Sequence, residues 1–300
     1  MSSPSPTLHP PAPATAPDLL SLRAELDRLD DALHDTLMRR AEVVLQVGAL
    51  RVKGSVPLRP GREAAIIRRL LARHDGAMLP AGIVRIWREL LATTTAQQRP
   101  LLVTVCEAGG DAAYLAAARE HFGALTPMRT HRSPAQAISE VSAGVATVAV
   151  LPMPDESEAP AAAWWTALLH VDDPRVHVVG RLPFWTPRPE GSPQVQALLV
   201  SAAAPDPSGR DRSLLGLELP LAVSRARLGA AVAAAGFQAG MTILRRDPGD
   251  AAAHALVEVD GFVDDDDARL PGLQSVLRPP VVLGAYAEPL GAAALSSGEG

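Results

Sequence analysis

The sequence holds a single cysteine, Cys106, so it can close no intramolecular disulfide and build no multi-cysteine metal site. Aromatic side chains are nearly as scarce, at 3% of 300 residues, which leaves the cores to Ala, Leu and Val. No Lys/Arg-rich run of the kind that tracks a phosphate backbone occurs and the formal net charge is −5, so a nucleic-acid partner is not expected. A run of about 18 uninterrupted apolar residues is also missing, which argues against a membrane partner or span. The first 17 residues have neither a basic n-region nor an apolar h-region, and they read as a disordered lead-in rather than a secretory signal. With one thiol and no signal, the expected compartment is the reducing cytoplasm.

Hydrophobic residues make up 47% and charged residues 20%, the balance of a globular protein with real cores, and the length suits two domains or three small ones. From Asp18 to Lys53 there is no proline and one glycine, Gly48. Leu19, Leu22, Leu26, Leu29, Leu33 and Leu37, continued by Val44 and Val47, recur at helical spacing, so one long amphipathic helix is expected, with Asp18 as its N-cap. A helix of about 35 residues is roughly 50 Å long at 1.5 Å per residue, more than one small domain covers, so its apolar stripe needs a partner, most simply a second copy. The break GSVPLRP is followed by a helix opening at Pro60 and running to about His74, and Leu79-Pro80 opens a third that ends near Gln98.

After Arg99-Pro100 the pattern alternates. LLVTV and VATVAVLP read as buried strands around two helices, AAYLAAAREHFG and SPAQAISEVSAG, which suggests a parallel or mixed α/β sheet. From about Arg212 the expected order is strand, helix (RARLGAAVAAAG), strand, strand, helix (ARLPGLQSVL), strand, the ferredoxin-like βαββαβ arrangement. DESEAPAAA and TPRPEGSP are expected loops. The predicted organisation is a tail over 1–17, a helical domain over 18–99, an α/β domain over 100–210, a βαββαβ domain over 211–290 and a tail over 291–300.

The first helix carries arginines on its core-facing stripe. Arg40 and Arg51 are 11 residues apart, within about 20° of one another around the helix, on the face of Leu37 and Val44. Two guanidinium groups turned towards a helical core must meet anions. The bland solution is pairing with Glu25, Glu42, Glu63 or Glu89, or snorkelling to solvent. Arg62-Glu63 sits in the first turn after Pro60, and Thr94 and Gln98 are stacked at i and i+4 at the end of the third helix; each alone is commonplace.

Together, LLSLRAELDRLDDALHDTLMRRAEVVLQVGALR, LRPGREAAIIRRL and IVRIWRELLATTTAQQ resemble the all-helical bacterial chorismate mutase domain over residues 18 to 98. That resemblance implies an intertwined helical dimer that rearranges chorismate to prephenate without metal or cofactor. It implies that Arg40 clamps a substrate carboxylate in its own protomer and that Arg23 reaches the site of the other. It further implies that Arg62 supports the carboxylate cluster, Glu63 accepts from the substrate hydroxyl, Thr94 contacts a carboxylate, and Arg51 and Gln98 donate to the ether oxygen. Two positions depart from the family: Arg51 stands where Lys is usual and Arg59 where an acid is usual, which leaves more of the hydroxyl recognition to Glu63. Lys53, roughly 140° from Arg40, is the poorer substitute for the usual Lys.

The remainder resembles the prephenate dehydratase of bifunctional enzymes, in AGGDAAYLAAAREHFG, VATVAVLPMPDES and VHVVGRLPFW, a periplasmic-binding-like α/β domain, and its ACT module in VEVDGF with VVLGAY. The dehydratase's functional residues are replaced. Its Thr-Arg-Phe strand is Gln196-Ala197-Leu198 here, its Glu-Asn-Ser loop is Pro154-Asp155-Glu156-Ser157, and its phenylalanine-site motifs are ARLG around Arg227 and LRRDP around Arg246. A degenerate, non-catalytic scaffold is the expectation, with a bifunctional mutase-dehydratase, an isochorismate pyruvate-lyase and a non-catalytic regulatory protein as alternatives. Cys106 and Trp164-Trp165 read as packing residues, and the acidic run 264–267 as a solvated loop.

Overall fold

The computed structural model describes residues 18–50, 58–107, 109–110, 112–171 and 173–295. The lead-in 1–17, Arg51 and Lys53 and the last five residues lie outside that set. The chain divides into two compact units, one within the first 50 residues and one comprising the rest.

The first unit is the helix α1, Leu19–Ala49. Asp18 caps it as its sequence position predicts, accepting the Ser21 N–H at 2.7 Å. No residue of α1 is buried, and Leu22, Leu26, Leu29 and Leu33 are 47–59% exposed. One stripe, Leu37, Arg40, Ala41, Val44 and Gly48, is half-buried.

The second unit opens with α2 (Pro60–Ala72) and α3 (Pro80–Gln98), each started by the expected proline at its first position. Then follow β1 (Val103–Cys106), α4 (Ala113–Phe122), β2 (Met128–His131), α5 (Pro134–Ser142), β3 (Val148–Pro152), β4 (His177–Leu182) and β5 (Ala197–Ser201). The last stretch is β6 (Asp211–Leu219), α6 (Arg225–Ala234), β7 (Ala239–Arg245), β8 (Ala253–Asp260), β9 (Val281–Ala287) and α7 (Ala292–Leu295). Among the described residues, nine strands form one sheet in the order β2-β1-β3-β5-β4-β9-β6-β8-β7. β1 runs parallel to β2 and β3, while β3–β5 and β5–β4 are antiparallel, so this half is mixed as expected.

Period-two alternation sorts β3 between two cores: Val148 and Val150 face one, with α4's Ala118 and Phe122, and Ala149 and Leu151 the other, with α5's Ala137 and Val141. That second core also takes in Trp164 and Trp165, buried in a 3-10 segment, and Leu214, Leu256 and Leu283 from the far half of the sheet. Hydrophobic contact is therefore continuous across residues 100–210 and 211–290.

The four strands β9-β6-β8-β7 pair antiparallel throughout, the strand order of a split βαβ arrangement. The expected second helix, ARLPGLQSVL, is absent: only the 3-10 turn Leu270–Gly272 forms there. Pro271 lacks the N–H a helix interior needs, and Gly272 adds the entropic cost of an unbranched backbone, so ten residues cannot sustain an α-helix. The segment 291–295, read as tail, instead forms α7, with Leu295 packed beside buried Leu290.

The two halves of the sheet meet where β4 pairs parallel with β9, at Val178 and Gly284. Gly284 has φ +138°, and a Cβ there would lie 2.1 Å from the Val178 carbonyl oxygen. Only glycine permits that approach. Gly284→Ala is expected to cost about 2 kcal/mol or more, through backbone strain and overpacking, and to lower Tm by roughly 5 °C in thermal denaturation.

Candidate active site

α2 has no side-chain cap of its own. Its first turn is held instead by Asp206, in the β5–β6 connection, whose carboxylate accepts the Gly61 N–H at 3.1 Å, the Arg62 N–H at 3.0 Å and Arg59 Nε at 3.1 Å. An anion at a helix N-terminus satisfies orphan donors and complements the dipole, so Asp206 fixes where the Arg62-Glu63 turn stands. Arg59 thus has a structural partner where the resembled family places an acid. Arg68, one turn further on, donates to Ser208 Oγ at 2.8 Å and to the Arg210 and Glu288 carbonyls at 3.1 and 2.6 Å, tying α2 to the same connection and to the end of β9.

Glu63 does not face water. Its Oε2 accepts from Arg88 Nη1 at 3.1 Å, and Arg88, on α3, is itself 4% exposed. Burial raises the Glu63 pKa, Arg88 opposes the rise and Asp206 adds to it. Burial pulls Arg88 down to about 10, with Glu63 holding it up. The Arg88 guanidinium lies 4.3 Å over the Phe184 ring and 3.5 Å from His121 Nε2. A guanidinium has no lone pair to offer, so the imidazole nitrogen facing it must be the unprotonated one. Burial, then the Arg88 charge, accordingly lower the His121 pKa well below its usual value.

The other predicted residues are placed as follows. Arg23 and Arg40 lie on α1; Arg23 is exposed, and Arg40 is half-buried, with burial lowering its pKa. Arg51 lies outside the described residues. The Arg62 side chain is exposed. Thr94 is buried, its hydroxyl donating to the Leu90 carbonyl at 2.8 Å, and Gln98 Oε1, one turn on, is buried with no hydrogen-bond partner among the described residues. Of the carboxylates weighed as partners for the α1 arginines, Glu25 pairs with Arg28, Glu42 with Arg39 and Glu63 with Arg88, while Glu89 accepts the Ala124 N–H.

The sequence reading missed Arg88, His121, Phe184 and Asp206. Arg88 had a signal, since Val84, Arg88, Leu91 and Thr95 form one helical stripe and an arginine on it demands an anion. The others act across 33 to 147 residues of sequence, beyond any local pattern.

Residues 22–99 match the family model described as chorismate mutase type II. The chain is 26% identical over 149 residues to a bifunctional chorismate mutase/prephenate dehydratase of Stutzerimonas stutzeri, a match covering 48% of this chain and 40% of that one. It thus spans about 40% of the length of that curated relative. Among solved structures, a protein described as GqqA, a novel type of quorum quenching acylase, is 16% identical at a TM-score of 0.47, covering 62% of this chain and 94% of that one. The prephenate dehydratase of Streptococcus mutans is 13% identical at a TM-score of 0.44, covering 62% and 97%.

His121 makes the enclosed cluster sensitive to acid. Its folded pKa is depressed, so below about pH 6.5 the unfolded chain takes up a proton that the folded protein refuses, and stability falls with pH. Equilibrium unfolding of wild type is expected to lose up to about 1.4 kcal/mol per pH unit from this group, and His121→Gln to show a correspondingly shallower loss between pH 6.5 and 5.

Proposed function

We propose that this protein is a chorismate mutase acting as a homodimer in the cytoplasm, with the sheet-bearing remainder serving as scaffold rather than as a second catalyst. The match of residues 22–99 to chorismate mutase type II carries this reading, because that segment contains Arg23, Arg40, Arg62, Glu63, Thr94 and Gln98. The exposed leucine stripe of α1 supports the dimer: a 31-residue helix with no buried side chain gains its stability from an apolar partner, and a second α1 offers a complementary stripe.

The reaction breaks one C–O bond and forms one C–C bond within a single dianionic molecule, so it asks for no nucleophile and no obligatory proton transfer. The protein's task is to fold a flexible substrate into a compact chair and to stabilise charge on the departing ether oxygen. Arg40 of one protomer and Arg23 of the other fork onto the substrate carboxylates, and Arg62 and Thr94 complete that cluster. Arg51 and Gln98 donate to the ether oxygen; Arg51 keeps the charge of a lysine in a bulkier, planar form. Glu63 accepts from the substrate hydroxyl, and Arg88 opposes the rise that burial imposes on its pKa.

Prephenate formation from chorismate by the purified full chain tests this. Arg40→Ala is expected to lose at least about a hundredfold in kcat/KM with an unchanged circular dichroism spectrum, and Gln98→Leu about a hundredfold in kcat. Turnover unchanged in Arg40→Ala would sink the assignment. Isochorismate supplied instead of chorismate separates a mutase from a pyruvate-lyase with a similar cationic pocket.

A second reading, a bifunctional mutase-dehydratase, is favoured by the Stutzerimonas stutzeri match, whose 149 residues reach beyond the family-matched segment. Against it stand Gln196-Ala197-Leu198 and the asparagine-free loop Pro154–Ser157. Incubation with prephenate is expected to yield no enzyme-dependent phenylpyruvate; robust turnover would establish the bifunctional reading.

A further inference from the structure

A polar cavity of the sheet-bearing unit opens beside the connection between β4 and β5. It has a volume of about 420 Å³ and is lined by Arg181, Arg188, Gln196, Arg212, Glu258 and Glu288, among others. The lining comes from both halves of the sheet: Arg181 from β4, Arg188 and Gln196 from the β4–β5 connection, Arg212 and Glu258 from β6 and β8, and Glu288 from the end of β9. That volume falls in the range that takes a small metabolite.

Most of the charge around the cavity is already matched. Glu258 accepts from the Tyr286 hydroxyl and lies 3.6 Å from Arg181 and 3.8 Å from Arg212. Arg181 donates to Gln196 Oε1 at 2.9 Å and to the Tyr286 oxygen at 3.3 Å. Arg212 pairs with Asp260 and, at 3.3 Å, with Glu288, which also takes Arg210 at 3.1 Å. Both glutamates are thus spent on arginines, and neither is left to recruit a cation.

Arg188 differs. Its side chain is 7% exposed, it meets Glu120 on one side and lies 5.0 Å over the Trp185 ring, yet its Nε has no hydrogen-bond partner among the described residues. An enclosed guanidinium donor left unmade is costly, and it is satisfied best by an oxygen of a planar anion. A carboxylate matches the fork of a guanidinium in shape and charge.

We propose that this cavity binds a small carboxylic acid, with the Arg188 guanidinium as the seat of its carboxylate and Gln196 and the apolar rim about Val195 receiving its body. Arg181 and Arg212 are locked by their own carboxylates, which leaves Arg188 as the donor available to the ligand. The ligand's carboxylate is either that of a plain acid or that of an α-amino acid.

Fluorine NMR titrations of the full chain distinguish these. The probes are para-fluorobenzoate, para-fluorophenylglycine and, as a cation of similar body, para-fluorobenzylamine. Saturable binding of benzoate alone identifies a plain-acid site, and tighter binding of phenylglycine an amino-acid site. In either case Arg188→Gln is expected to weaken binding by about tenfold or more. Val195→Trp, which fills the cavity from a loop and leaves the buried arginine network intact, is expected to abolish it, while Arg40→Ala leaves it unchanged. The proposal is overturned if neither acid saturates, if the benzylamine binds as well as the acids, or if binding survives Val195→Trp.

Discussion

A guanidinium withdrawn from water must find an acceptor, and that requirement organises this protein at each level. Arg88 finds one in Glu63, and the pair is enclosed by Phe184 and a neutral His121. Arg68 finds acceptors in a hydroxyl and two carbonyls and so docks α2. Where hydrogen bonding is incomplete, as at Arg188, the same constraint is what the proposed ligand site exploits.

The helices α2 and α3 are not an appendage to the sheet. Ala64, Ile67, Val84 and Leu91 share a core with Phe184, Ala287 and Leu290, and the α2 N-terminus is capped by Asp206. Cutting the chain near residue 100 would strip that cap and open the core to water. The C-terminal region therefore has a physical role whether or not it turns over a substrate: it sets the position of the Arg62-Glu63 turn and, through Phe184 and His121, the surroundings of Arg88. The join at Gly284 links the two halves of the sheet on which α2 and α3 pack.

Much of this was legible in the sequence because the signals were local. The prolines at 60 and 80 started α2 and α3, Asp18 capped α1, and the leucine periodicity set the length of α1 to within a few residues. The apolar run VATVAVLP read as a buried strand, and β3 is covered on both faces. The expectation of a helix at ARLPGLQSVL failed because apolar spacing was weighed above Pro271 and Gly272. Strand β2, with the sequence MRTH, is partly exposed and has no apolar run to betray it; its pairing with β1 comes from tertiary context. At the site, Arg40 and Arg51 were visible as arginines on an apolar stripe and the other proposed contacts only through the family resemblance, whereas their supports were not visible at all. Asp206 and Phe184 act at long range, and nothing in their neighbourhoods marks them.

The central claim is that cations from interlocked copies of α1 serve one another's sites. Mixed dimers test it most directly. Arg23→Ala and Arg40→Ala chains, each inactive alone, are co-expressed with different tags and the doubly tagged dimer is assayed for prephenate formation. One restored site per mixed dimer is predicted, because one pocket there retains both arginines. A mixed dimer as inactive as its parents, or a protein that stays monomeric while turning chorismate over, would contradict the account.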